Sequence, residues 1–291
     1  MTTDESKTRV ERIAQKTKKK QHMIRVAMGQ EKAELVLKNA TYVNVLSGEL
    51  CHGDIAVAEG LVVGMGSYDG EQEVDVSGKI VTPGLIDAHI HLESSLVSPV
   101  EFARAVVPHG TTTVVCDPHE IANVCGVTGM DYMLQATSGL PVDVHFMLPS
   151  CVPATPVDES GAVMTWRDIN AYFDHPRVLG LAEMMNYPGV ISGDAATIEK
   201  IVTAQAHHKK IDGHAPALSG HSLNAYMCAG VYSDHECSTL DEALEKLRTG
   251  QYIMIREGTA AQNLAALMGL LTPQYAARCM FCTDDKHPAD L

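Results

Sequence analysis

The chain has 291 residues, with 22 basic side chains against 36 acidic ones, a net charge of −14, 14 histidines, 8 cysteines and one tryptophan. That acidic balance argues against a nucleic-acid binder, because phosphate neutralisation needs a basic surface. A chain 45% hydrophobic and 20% charged folds rather than staying disordered.

No apolar run approaches the roughly 20 residues that a membrane helix needs. The N-terminal stretch lacks the apolar core of a signal peptide. The reading is a cytoplasmic protein with no membrane partner, whose cysteines are free thiols rather than a disulfide framework.

Residues 1–32 are polar and are expected to form an N-terminal helical segment, with Ile13, Met23, Ile24 and Val26 as its apolar surface. A basic knot at Lys16, Lys18, Lys19 and Lys20 reads as a solvated face. Over 33–82 the texture turns β-rich. Short runs at 34–37, 42–45, 54–57, 61–65 and 73–76 alternate with turn signals such as Ser47-Gly48 and Asp69-Gly70. This is a small all-β module, a partial sandwich too short to close a core alone.

After Pro83-Gly84, over 83–291, apolar strand-like runs alternate with helical stretches. The runs lie at 85–90, 112–116, 142–148, 178–181, 210–212, 230–233, 252–255 and 278–282. Helical patterns occupy 100–107, 169–173, 196–208, 240–248 and 260–270. Such alternation predicts an α/β fold with a parallel sheet. Eight runs predict a TIM-type (β/α)8 barrel, with chemistry past the C-terminal ends of its strands.

The first run ends in His89-Ile90-His91. Residues two apart on a strand face the same side, so two imidazoles converge. A lone histidine there would read as a packed or surface residue; a pair reads as metal ligands. Glu183 follows the fourth run, His214 the fifth, His235 the sixth and Asp284 the eighth. The spacing fits a barrel register. Glu183 lies 92 residues after His91, three units of roughly 31 residues each. His214 lies one unit further on.

Four histidines and two carboxylates exceed what one tetrahedral site uses. They suit two divalent metals with a bridging carboxylate, at the roughly 3.5–4 Å separation of hydrolytic pairs. Two cations acidify a shared water. Asp284 is then placed to take its proton and pass it on.

With these residues in view, the chain resembles the amidohydrolase superfamily. Many of its members bridge their metals with a carboxylated lysine at strand four, where this chain has Glu183. Glu183 and the strings VTPGLIDAHIHLESS, CDPHEIANVCG, GLAEMMNYPGVISG, DGHAPAL and MIREGTAAQNL closely resemble the bacterial and archaeal adenine deaminase family, over about residues 30–286.

The resemblance implies adenine as the small-molecule substrate, converted with water to hypoxanthine and ammonia. It implies a metal-bridging hydroxide attacking C6 and Asp284 shuttling the proton. It implies iron or manganese, with zinc also possible. A purine needs a few placed polar groups within apolar walls. Glu93, Ser95, Asp117, Arg256 and Glu257 are the substrate-binding candidates. His119 and Glu236 are picked for supporting the ligands or for proton transfer, beside Glu183 and Asp284. Ordinary loop polarity is the competing reading for each.

Three alternatives stand beside this one. His91-Leu92-Glu93 and the Cys279–Cys282 pair echo the zinc nucleobase deaminases. However, Arg278 stands where that signature has proline, and nearly 190 residues separate the halves. The cysteines therefore read as small buried thiols. Another amidohydrolase, acting on a cyclic amide or imide, would share the metals and differ in the pocket. The third is an inactive fragment. The family pattern continues with a last barrel helix, further strands and a C-terminal domain, whereas Leu291 comes seven residues after Asp284. An uncovered flank of that kind favours a homo-oligomer or a complementing C-terminal half.

Overall fold

A computed structural model describes residues 8–155 and 157–291. The first seven residues of the expected N-terminal helical segment lie outside the described residues. The chain divides into two units, Met1–Pro83 and Gly84–Leu291. No helix among the described residues is long and apolar enough to cross a membrane.

In the first unit, α1 (Arg9–Ala27) starts in a capping box. The Glu11 carboxylate accepts the Thr8 amide at 2.7 Å, and the Thr8 hydroxyl accepts the Glu11 amide at 3.3 Å. Val26 is the buried residue of α1 and packs with Ala33, Val36, Ala56 and Ala58. The basic knot is exposed, and Lys19 pairs with Glu59 at 2.9 Å. The unit therefore takes in the helix together with the strands.

Those strands are β1 (Ala33–Asn44), β2 (Glu49–Ala58), β3 (Leu61–Gly66), β4 (Gly70–Asp75) and β5 (Ile80–Val81). The path runs β3-β2-β1-β4, with β5 also pairing β1. The runs at 34–37 and 42–45, expected as separate strands, are one strand with a bulge between Leu37 and Ala40. Asn39 sits in the bulge at φ 57°, a left-handed conformation that asparagine tolerates. Its amide donates to Asp54 at 3.1 Å, and its side chain donates to Asp75 at 3.1 Å.

The second unit alternates strands and helices. Its strands are β6 (Leu85–Ile90), β7 (Thr111–Cys116), β8 (Asp143–Leu148), β9 (Val178–Met184), β10 (Lys210–Gly213), β11 (Ser233–Asp234), β12 (Tyr252–Arg256) and β13 (Cys279–Cys282). Between them lie α2 (Pro99–Val106), α3 (His119–Cys125), α4 (Val127–Ala136), α5 (Trp166–Asn170), α6 (Tyr187–Ser192), α7 (Ala195–Ala206), α8 (Gly220–Cys228), α9 (Leu240–Thr249) and α10 (Leu264–Leu267). The pattern at 260–270 yields only that short helix and a 3-10 turn at Met268–Leu270.

All the strand pairs here are parallel, in a five-stranded sheet β10-β9-β8-β7-β6 and a three-stranded sheet β11-β12-β13. Hydrogen bonds join the sheets at both seams. Between β13 and β6, the Asp284 amide donates to the His89 carbonyl at 2.9 Å. The Asp87 carboxylate takes the Thr283 amide at 3.0 Å and the Thr283 hydroxyl at 2.5 Å. Between β10 and β11, the Ser233 hydroxyl donates to Asp212. A Cβ on Gly213 would lie 2.1 Å from the Ser233 carbonyl oxygen, so glycine permits that approach.

Helix faces close over the sheets. Phe102, Phe146, Leu148, Ile169, Phe173, Leu223 and Tyr226 form the centre of the larger core. A smaller core joins Leu247 and Leu267 to Ile253 and Ile255. Each large apolar side chain contributes about 1.5–3 kcal/mol by leaving water. This packing fixes the strand ends, and with them the side chains described next.

Candidate metal centre

His89 lies on β6 and His91 one residue past its end. Both are buried, and their Nε2 atoms face each other at 3.1 Å. His91 Nδ1 lies 3.0 Å from the Asp117 carbonyl, which can only accept. That assigns the His91 proton to Nδ1 and leaves the Nε2 lone pair for the cluster.

Glu183, near the end of β9, straddles the site. Its Oε1 lies 3.2 Å from His91 Nε2. Its Oε2 contacts His214 Nδ1 and lies 3.3 Å from His235 Nε2. Asp284 follows β13 at φ 58°, in the left-handed region. Its Oδ1 lies 3.0 Å from His91 Nε2 and 3.5 Å from His89 Nε2, and its Oδ2 accepts from Arg256 at 2.8 Å. The His235 ring stacks on His89 with centroids 4.2 Å apart. It is fully buried, yet neither of its ring nitrogens has a hydrogen-bond partner of good geometry.

Burial pushes the Glu183 carboxyl up, but the adjoining His214 and His235 imidazoles outweigh it and hold the group well below the carboxylate range. Asp284 behaves alike: burial raises it, and His89 and His91 pull it below that range. Burial works against charge on His235, while Glu183 holds its proton well above the usual histidine value. The set thus calls for positive charge at its centre. His89, His91 and Asp284 offer ligand atoms within 4.8 Å of one another, and so do Glu183, His214 and His235. With unpartnered imidazole nitrogens among them, these donors fit divalent cations. A cavity of about 240 Å³ opens on the cluster, lined also by Arg256, Gly258, Ala260 and Ala261.

A sequence profile of the amidohydrolase family matches residues 80–287. The chain belongs to the amidohydrolase family. The family is metal-dependent, and the second unit of this chain, an α/β arrangement on parallel sheets, carries groups of residues able to hold a metal. It is 54% identical to an adenine deaminase of Desulfatibacillum aliphaticivorans over 269 residues, covering 92% of this chain and 47% of that one. It is 52% identical to an adenine deaminase of Clostridium acetobutylicum over 268 residues, covering 92% and 47%. The chain thus spans about half the length of the curated relatives it matches. Among solved structures it is similar to an atrazine chlorohydrolase from Arthrobacter aurescens TC1 complexed with zinc, at TM-score 0.60 and 15% identity, covering 87% of this chain and 74% of that one. At that identity the likeness concerns the fold alone.

Other side chains of this amidohydrolase surround the six. His119 Nδ1 lies 2.9 Å from Asp117 Oδ2 and 3.5 Å from Glu183 Oε1. Burial lowers His119, but Asp117 more than offsets it and raises the imidazole to about 9. Glu236 is raised by burial and lowered by His235, His214 and Arg256, settling at about 2. Arg256 grips both Glu236 oxygens, the second at 3.2 Å, so it is tied into the carboxylate network.

Three substrate-binding candidates stand apart from the cluster. The buried Ser95 hydroxyl donates to the Leu92 carbonyl at 2.5 Å, within its own turn. Glu257 accepts the Leu264 amide at 3.0 Å, at the start of α10. Glu93 accepts the Ile121 amide at 3.2 Å, and burial next to Glu120 lifts its carboxyl to about 7. All eight cysteines are free.

Two residues not singled out from the sequence support the site. Tyr226 donates to the Met184 carbonyl at 2.8 Å and accepts the His214 amide at 3.0 Å. Asp212 lies 3.3 Å from His89 Nδ1. Asp212 shares with His214 the two-residue spacing that flagged His89 and His91, so a signal for it existed. Tyr226 had none, since it lies on α8 and its partners come from β9 and the end of β10.

Proposed function

We propose that this chain carries the binuclear metal centre of an adenine deaminase. The two parallel sheets act as one (β/α)8 barrel, over residues 83–291. Residues 33–82 are a partial β-sandwich, preceded by a helical segment up to residue 32. The observation that carries the substrate is the roughly 50% identity, across 92% of this chain, to relatives named adenine deaminase. In this reading the enzyme works in the cytoplasm, in adenine catabolism and purine salvage. It acts as a homo-oligomer or with a complementing C-terminal half.

His89, His91 and Asp284 would hold one cation and His214 and His235 the other, with Glu183 between them. Bound there, two divalent cations (manganese or iron, with zinc also suited to these donors) supply the Lewis-acid charge that acidifies water near neutral pH. Asp284 accepts the proton of the attacking water at Oδ1 and returns it to the departing C6 amine, so adenine and water become hypoxanthine and ammonia. Arg256, on Oδ2, keeps that carboxylate ionised and aimed. His119, kept protonated by Asp117, presents an N–H to the purine edge, and Glu236 faces it as an acceptor.

The test is ammonia release from adenine by the full chain loaded with Mn(II) or Fe(II), with cytosine and dihydroorotate as controls. Turnover of adenine alone is the expected result. Turnover of the cyclic amide but not adenine would overturn the substrate. Fewer than two ions per chain would overturn the binuclear centre.

A further inference from the structure

A histidine that ligates through Nε2 must carry its proton on Nδ1, and it needs an acceptor there to fix the tautomer and the ring angle. His91 has the Asp117 carbonyl for this. His89 has a different neighbour. Its Nε2 faces His91 and Asp284, while its Nδ1 lies 3.3 Å from Asp212 Oδ2, a loose approach rather than a hydrogen bond of good geometry.

Asp212 is itself held in place. Its Oδ1 accepts the Ser233 hydroxyl and the Gly213 amide, the latter at 2.9 Å. With Oδ1 occupied, Oδ2 is the free oxygen, and it points to His89. The carboxylate is 3% exposed, a position where an unpartnered charge costs several kcal/mol, so it needs such a partner. Close packing does not replace this support from the far side. Asp212 and Ser233 border a cavity of about 660 Å³ there, with Ala88, Met147 and Met254.

We infer that Asp212, braced by Ser233 across the β10–β11 seam, is the positioning residue that presents His89 to its metal ion. The inference rests on the metal centre proposed above. The competing role is direct ligation, because His89, Asp212 and His235 also offer atoms within 4.8 Å of one another. Direct ligation would take Oδ2 away from His89 Nδ1 and leave that buried nitrogen with no acceptor.

The two roles separate in metal binding, measured on the full chain by equilibrium dialysis against Mn(II) with chelator competition and elemental analysis. Asp212→Asn is expected to keep two ions at saturation while binding one of them about 10–100-fold more weakly, the usual cost of losing such a support. Asp212→Ala should weaken the same ion further. Ser233→Ala should weaken it by a few-fold and serves if the Asp212 variants do not fold. Loss of one ion at every Mn(II) concentration would make Asp212 a ligand and overturn the inference. Unchanged affinity for both ions in all three variants would overturn it as well. A wild-type chain that binds fewer than two ions would instead remove the metal centre beneath it.

Discussion

Two buried charge clusters lie within the second unit, and they are built on opposite principles. Around Lys246 the count closes. Its ammonium has three donors, and it meets the Ala215 carbonyl at 2.7 Å, Asp234 at 2.5 Å and Glu242 at 2.7 Å. Around Glu183 the count does not close. Imidazoles and carboxylates crowd together, and His235 has no hydrogen-bond partner of good geometry on either ring nitrogen. A closed network holds structure together. A surplus of buried lone pairs aimed at one point is arranged for something that supplies positive charge.

The sharpest way to break the contrast is to change one member of each cluster. Glu183→Gln keeps the shape of the side chain and removes its charge. A neutral amide is a poor bridge between cations, so the loss of metal affinity should exceed the roughly 10–100-fold that follows loss of a mere outer support of a ligand. The expected result is a chain holding one ion or none by elemental analysis, with its metal-free stability little changed. Full occupancy in this variant would sink the bridging role.

Lys246→Met should do the reverse. It strands Asp234 and Glu242 without their cation, and the metal-free chain should lose about 3–5 kcal/mol in urea unfolding. The effect has a pH signature. Burial raises the Glu242 carboxyl and Lys246 outweighs it, so the folded value is depressed. A depressed carboxylate contributes stability that is complete above its unfolded pKa, about 4.3, and is lost as pH falls through the folded value. The gap between wild type and variant should therefore narrow below about pH 4. A gap that is flat with pH would show that Glu242 takes no part in the network.

Asp284→Asn ranks next. If Asp284 carries the proton, turnover should fall by about two to three orders of magnitude with KM little altered. Near-full activity would move the base elsewhere, with Glu236 and His119 as the nearest groups to test.

Much of this site can be read from sequence because its chemistry sits at strand ends. His89 and His91 follow from a two-residue spacing. Glu183, His214, His235 and Asp284 follow from the repeat of strand and helix, and the structure brings all six together. What stays hidden depends on partners distant in the chain. The bulge at Asn39 exists because Asp54 and Asp75 meet it from neighbouring strands. Ser95 and Glu257 look like site residues by position, but in the structure each is hydrogen-bonded to a backbone group. Helices α3, α4, α6 and α8 are short elements outside the expected helical patterns, and tertiary packing decides them.

The smallest predicted effect falls on the link between the core and the cluster. Tyr226 is fully buried, and its hydroxyl ties the Met184 carbonyl, next to Glu183, to the amide of His214. Tyr226→Phe leaves both backbone groups without this partner while keeping the ring's packing. An unsatisfied buried polar group costs about 1–3 kcal/mol, so the loss in urea unfolding should lie in that range. Because the bond spans β9 and the end of β10, the variant should also hold the His214 ion more loosely, by a few-fold in dialysis. A stability loss with unchanged metal affinity would make Tyr226 purely a core residue. The contrast between the two clusters would then stand without a bridge from the packing to the ligands.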